Sequence, residues 1–302
     1  MARTALFSRN TPGGVFTFDD LGEHPGEIYF VDASAAGAGA TLGHGKSPDS
    51  PFSSLAYAFS SDLLASGDVV YALPGHTESI AAAGTITADI AGVRVIGLGW
   101  GSKRPVLTWT ATDATIAVSA ASVQFRNFLT EVTIDEVVSM WNWTGAWGEM
   151  DRVDFRLNTS AEEAIQFLTA SAAATDFHLH HCRHHQATPA AANAQWIEFI
   201  GARTVIEDNT FDIELTSNAA SKILSNGTAA IGLVLARNRI HALGNACIPI
   251  SCHASSEGIA HDNRVVSGGT LAGKIALGGL YGCENYVATT ANKNGILDPV
   301  VA

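Results

Sequence analysis

The sequence predicts an all-β fold, a parallel β-helix (solenoid), on three observations. First, strand-like hexapeptides of one shape recur along the second two-thirds of the chain: VIGLGW, FRNFLT, MDRVDF, LHHCRH, IEDNTF, LARNRI, AHDNRV and GCENYV. They begin at Val95, Phe125, Met150, Leu179, Ile206, Leu235, Ala260 and Gly282, at spacings of 30, 25, 29, 27, 29, 25 and 22 residues. A period in the twenties that varies by a few residues is that of stacked coils whose turns lengthen without disturbing the strands. The recurrent Leu of leucine-rich repeats is absent. Second, the fourth position of the last four hexapeptides is Asn209, Asn238, Asn263 and Asn285. Asn at one stacked position predicts a ladder, each residue in a left-handed turn backbone with its amide bonded to the Asn of the next coil. Third, 302 residues, 47% hydrophobic and 15% charged with 29 Gly and 9 Pro, suit a long apolar core broken by many turns. Eight coils ~4.8 Å apart make a rod on the order of 40 Å.

Four regions follow. Residues 1–27 have no period and read as an extended N-terminal arm, with Pro12-Gly13-Gly14 and the alternation Val15-Phe16-Thr17-Phe18. Residues 1–18 carry Arg3 and Arg9 and no acid, while the remainder holds all 29 acids against 15 bases. An arm with Phe7, Phe16, Phe18 and two Arg cannot form a core alone. It can lie along another protein, adding a strand to an open edge and pairing its Arg with acids there. Residues 28–66 read as a short strand, a Gly/Ala/Ser-rich loop and a capping helix, which covers the apolar end that a solenoid exposes. Ser50 is the helix N-cap and Pro51 its first residue, with Phe52, Leu55, Ala56, Phe59 and Leu63 on one face and Ser66-Gly67-Asp68 as the stop. Residues 67–290 form the β-helix, and 291–302 a C-terminal tail.

A formal charge of −12 repels polyanions, which excludes non-specific nucleic-acid binding. Residues 1–10 lack the apolar core of a secretory signal. The most apolar stretch, 80–100, is broken by Asp89 and Arg94, so no membrane span is expected. Cys182, Cys247, Cys252 and Cys283 are too few and scattered for a disulfide scaffold and are expected as free thiols.

Three groups of residues are of types that carry chemistry. Glycan hydrolysis needs two carboxylates flanking a bond, and the coils carry Asp151, Asp154, Glu207, Asp208, Asp212, Glu214 and Asp262. Neighbouring coils offer His and Arg at the equivalent places, the pattern of solvated strand faces in which acid meets base. No catalytic residue is assigned, and no enzymatic activity is expected. In 177–185, FHLHHCRHH, His178 and His180 project to one side of a strand and could share a metal, but His181 stands at another angle and four ligands are lacking. No metal and no cofactor are expected. Trp141 and Trp143 face one side of a strand, where they serve the core, a subunit interface or a platform for sugar rings. The Cys247…Cys252 spacing is neither a redox nor a common zinc pattern. Gly97-Leu98-Gly99-Trp100-Gly101 lacks the Lys-Ser/Thr of a phosphate loop and reads as a turn.

IYFVDAS (28–34), SPDSPFSSLAYAF (47–59), GDVVYALPGHTESI (67–80) and the strand-and-Asn repeats resemble the pectate-lyase-like, right-handed parallel β-helix superfamily over about residues 28–290. That resemblance is specific for the fold and not for an activity. A narrower one joins Leu6-Phe7-Ser8-Arg9-Asn10-Thr11-Pro12 with GEIYFVD, SPDSPFSSL, PGHTESI and AGVRVIGLGWGSKRPVL, which together look like a group of tailed-bacteriophage virion proteins associated with the head shell. It implies a decoration or cement protein on the capsid exterior, made in the host cytoplasm and anchored by its N-terminal arm. The implied partners are the major capsid protein and further copies of the chain in a homotrimer, with no nucleic acid and no membrane. The alternative is a tailspike or fibre β-helix that binds or cleaves host surface polysaccharide.

Overall fold

The computed structural model describes residues 26–157, 162, 164–190, 195–215 and 221–298. The anchor residues Arg3, Phe7, Arg9, Phe16 and Phe18 lie outside the described residues. The chain winds as a right-handed parallel β-helix with three faces. The first sheet has ten strands, from Ile28–Val31 through Val69–Ala72 to Tyr281–Cys283; the second has ten, from Thr77–Ile80 to Ile296–Asp298; the third has eight, from Ile86–Ala88 to Ile275–Ala276. Between the first pair of strands and the last, consecutive strands lie in different sheets and each pairs with the strand one coil on. All pairings between named strands are parallel except the last, where Ile296–Asp298 runs antiparallel to Asn285–Thr289.

The eight hexapeptides stack in the first sheet with no slip. Val95 lies opposite Phe125, Phe125 opposite Met150, and Met150 opposite Leu179. Leu179 pairs with Ile206, Ile206 with Leu235, Leu235 with Ala260, and Ala260 with Gly282. Alternation explains this fidelity: a one-residue slip would turn each buried side chain of the column to solvent. The core is aromatic, with Trp109, Trp141, Trp143, Trp196, Phe125, Phe155 and Phe167 all buried. Space is tight: a Cβ on Gly148 would lie 2.0 Å from Nε1 of Trp143.

Asn209, Asn238, Asn263 and Asn285 are buried and joined in one direction. Asn209 Nδ2 donates to Asn238 Oδ1 at 3.0 Å, Asn238 Nδ2 to Asn263 Oδ1 at 3.0 Å, and Asn263 Nδ2 to Asn285 Oδ1 at 2.9 Å. Each amide also donates to a main-chain carbonyl inside the coil, as Asn238 does to Ile206 at 2.8 Å. The left-handed backbone expected of these Asn belongs instead to the residue before each: Asp208, Arg237, Asp262 and Glu284 have φ of 55°, 53°, 55° and 51°. The preceding residue makes the corner, and the Asn beyond it turns its amide inward to the next coil.

The cap is shorter than the sequence suggests. The helix is Leu55–Ser60, and Ser54, not Ser50, is its N-cap, accepting from the Tyr57 N–H. Pro51 lies outside it, and Phe52 bridges Val31 and Gly39 as extended chain. Burial decides the difference: Phe52 packs against Tyr29 with ring centroids 5.8 Å apart, closing the first coil from below. Glu78 secures the helix, its carboxylate accepting from the N–H groups of Leu55 at 2.7 Å and Ala56 at 3.0 Å.

Candidate functional site

The corner between the first and second sheets gathers the polar chemistry of the molecule. Its edge is a stack of left-handed residues, Arg152, His181, Asp208, Arg237 and Asp262, one from each successive coil. Left-handed backbone costs a non-glycine residue energy, and repeating it coil after coil sharpens the corner and throws these side chains outward. Beside them runs an outward column of the second sheet in strict register: Asp154, Arg183, Thr210, Arg239 and Arg264. Together they line a groove of about 870 Å³ that Trp100, 88% exposed, borders at one end.

Charges along the groove divide into two sets. Arg104 Nη1 donates to Asp154 Oδ2 at 2.5 Å, and its Nη2 donates to the carbonyls of Phe128 and Arg152 at 2.6 Å each. Arg237 bridges Glu207 at 2.5 Å and Asp208 at 2.7 Å. The hydrogen bond from Arg237 holds the Asp208 carboxyl below its ordinary range, and Asp208 and then Glu207 raise the Arg237 guanidinium. Arg237 and its two carboxylates are partly exposed, so their pairing orders the corner more than it stabilises the fold, whereas Arg104 and Asp154 are nearly buried. Among the described residues, no hydrogen bond or ion pair engages the guanidinium groups of Arg183, Arg239 and Arg264. Such planar forks match carboxylate, sulfate or phosphate oxygens.

Next to the groove, on the first sheet, lie the histidines. His178 Nε2 is 3.0 Å from Glu207 Oε1, and His180 Nε2 is 3.0 Å from Glu149 Oε1, the two imidazoles stacking 4.1 Å apart. The bond from His180 holds the Glu149 carboxyl low, while burial foremost, and then His180, lowers the His178 imidazole. His181 does not point away from His180 as a regular strand would require. Its φ of 54° swings the ring back until the two Nδ1 atoms are 2.7 Å apart. A second group, His185 and His241, shares Asp212 at 3.0 and 2.7 Å on the second sheet.

The remaining sequence candidates are placed elsewhere. Trp141 and Trp143 are fully buried, Trp141 packed on Phe125 and Trp143 on Phe177, which removes them as a sugar platform or subunit contact. Their strand faces the core because both flanking columns are apolar: Trp141 lies opposite Ile116 and Leu168, and Trp143 opposite Val118 and Ala170. The exposed indoles are those of Trp100 and Trp147, which carry no periodic signal in the sequence. All four cysteines are free thiols, with Cys182 and Cys247 buried and Cys283 exposed.

No family model matches the chain, and no curated protein matches it. Among solved structures, a chain described as a rhamnogalacturonan lyase matches with 11% identity and a TM-score of 0.40, over 91% of this chain and 90% of that one. This finding overturns the expectation that the chain is not an enzyme, and that expectation is withdrawn. The likeness is one of fold, and no catalytic residue is carried over from it. The protein is a parallel β-helix similar in fold to a polysaccharide lyase.

Proposed function

We propose that this chain is a virion protein of a tailed bacteriophage that decorates and stabilises the capsid exterior, anchored by its N-terminal arm. The observation that carries the reading is the division of charge: residues 1–18 hold two Arg and no acid, while the rest of the chain, from Asp19 on, holds every acid. Such an arm suits an acidic shell protein, and the acidic body is kept off that same surface by repulsion. An arm laid along a strand edge where shell subunits meet gains contacts that are lost only when the shell parts, which stabilises the closed shell by linkage. Small outward side chains on the third sheet, Thr87, Ala117, Asn142 and Thr169, support close packing of three copies around an axis. The test is removal of residues 1–18. The truncated chain keeps its melting temperature and no longer binds capsids that lack the protein; unchanged binding would overturn the anchor.

A second reading rests on the groove. The unengaged Arg183, Arg239 and Arg264 beside the exposed Trp100 support recognition of an acidic surface polysaccharide, guanidinium on carboxylate and indole on sugar ring. Arg239→Gln and Trp100→Ala then each weaken retention on an immobilised polyuronate and leave retention on a neutral glucan unchanged. Equal retention of the variants and the parent on polyuronate would remove this reading.

A further inference from the structure

We infer that Asp151, His180 and His181 form a binding site for a divalent transition cation of the Zn²⁺ class. The three donor atoms come from two adjacent coils and converge on one point. Asp151 Oδ1 is 3.4 Å from His180 Nδ1 and 3.6 Å from His181 Nδ1, and the two Nδ1 atoms are 2.7 Å apart. Tetrahedral ligands at ~2.0–2.1 Å from zinc stand about 3.3 Å from one another, so small ring movements seat an ion among these three.

Two features of the site point to a ligand. Asp151 is 2% exposed, and its Oδ1 is buried with no hydrogen-bond partner, whereas Oδ2 is held by Arg152 and by Arg126 Nε at 3.1 Å. A carboxylate oxygen buried without a donor destabilises the fold, and a cation facing it removes that cost. The second feature is the tautomer of His180. Its Nε2 lies 3.0 Å from Glu149 Oε1, so the ring proton sits on Nε2 and the Nδ1 lone pair faces His181 and Asp151. A carboxylate that orients a histidine through its far nitrogen is the usual support of a metal ligand. Arg126 and Arg152 neutralise the Oδ2 side of Asp151 and leave the Oδ1 side to the cation. The backbone supplies the last requirement, because consecutive strand residues face opposite ways. Only the left-handed His181 lets neighbours 180 and 181 present nitrogens to a common point.

Three protein ligands leave a fourth position open, the pattern of exchangeable rather than structural zinc sites. His181 lines the arginine groove, so that position faces it. Isothermal titration of the full chain, without a histidine tag, with Zn²⁺, and the visible absorption of bound Co²⁺, test the site. One ion per chain is expected, in a coordination of fewer than six ligands by the Co²⁺ spectrum. His181→Ala, which changes a half-exposed ring and spares the core, weakens zinc at least tenfold; Asp151→Asn does the same if it folds. His241→Ala, in the separate Asp212 group, leaves zinc affinity as it was. The proposal fails if the parent chain takes up no zinc, if His181→Ala binds like the parent, or if His241→Ala is the variant that loses the ion.

Discussion

At the scale of single residues, burial sets the chemistry. Asn238 accepts from both the main-chain and side-chain N–H of Asn209 and donates to Ile206 and Asn263, all inside the coil. Asn238→Ala leaves those partners without a bond or with water in an apolar wall, and a loss of about 1–3 kcal/mol in unfolding free energy is predicted from urea denaturation. An unchanged midpoint would contradict the ladder's energetic role. Thiol reactivity follows the same logic. Burial pushes Cys182 up and raises Cys247 and Cys252 to about 12, while Cys283 is exposed. A disulfide reagent at neutral pH therefore labels one thiol rapidly and the other three only on unfolding; two rapid thiols would contradict this. His184 is buried and accepts from Trp196 Nε1 at 3.0 Å, and burial pushes its imidazole down to about 3 from an ordinary 6.5. Between those values the unfolded chain binds a proton that the native chain does not. Stability from this group is complete above about pH 6.5 and falls with decreasing pH by about 1.4 kcal/mol per unit. The stability gap between the parent and His184→Asn should narrow from pH 7 to pH 5, and parallel pH curves would refute it. Little of this was legible in the sequence. The Asn column could be read because four identical residues share one register position, whereas the exposure of Trp100 and the burial of Trp141 depend on neighbours 25 to 30 residues away.

At the scale of elements, the first-sheet strands could be read because hexapeptides of one shape recur, most of them opening on an apolar residue, and the structure stacks those first residues opposite one another. The cap could be read only in part. Ser50-Pro51 is a sound start signal for a helix, yet Phe52 gains more by filling the end of the first coil, and Ser54 takes over the capping role. The sequence gives no hint that Glu78, on the second sheet, completes that cap. It is nearly buried and holds two helix N–H groups, with His76 Nε2 at 3.2 Å. Since His76 Nδ1 accepts from the Ala33 N–H, its Nε2 carries the proton and donates to Glu78. Glu78→Gln retains the shape but replaces one acceptor oxygen with a donor beside a helix N–H. A drop of about 1–3 kcal/mol is predicted, read as a lower denaturation midpoint; a midpoint equal to the parent's would show that Ser54 suffices. The left-handed corner is an element of another kind. Its stacking of Arg152, His181, Asp208 and Arg237 gathers residues that look like scattered surface charges in the linear sequence.

At the scale of the whole molecule, charge is sorted by position. An acid-free stretch, residues 1–18, precedes an acidic remainder, and several arginines line one groove, where no hydrogen bond or ion pair among the described residues engages the guanidinium groups of Arg183, Arg239 and Arg264. Under the proposed function, this division of charge holds the protein on a negatively charged assembly through residues 1–18. The central claim is that this assembly is a phage capsid, and copy number in purified particles tests it most directly. Quantitative mass spectrometry against the most abundant shell protein should return many tens to hundreds of copies of this chain per particle. A ratio of only a few trimers per particle would contradict the capsid role, placing the chain on the tail and leaving the arginine groove and its polysaccharide reading as the function to pursue.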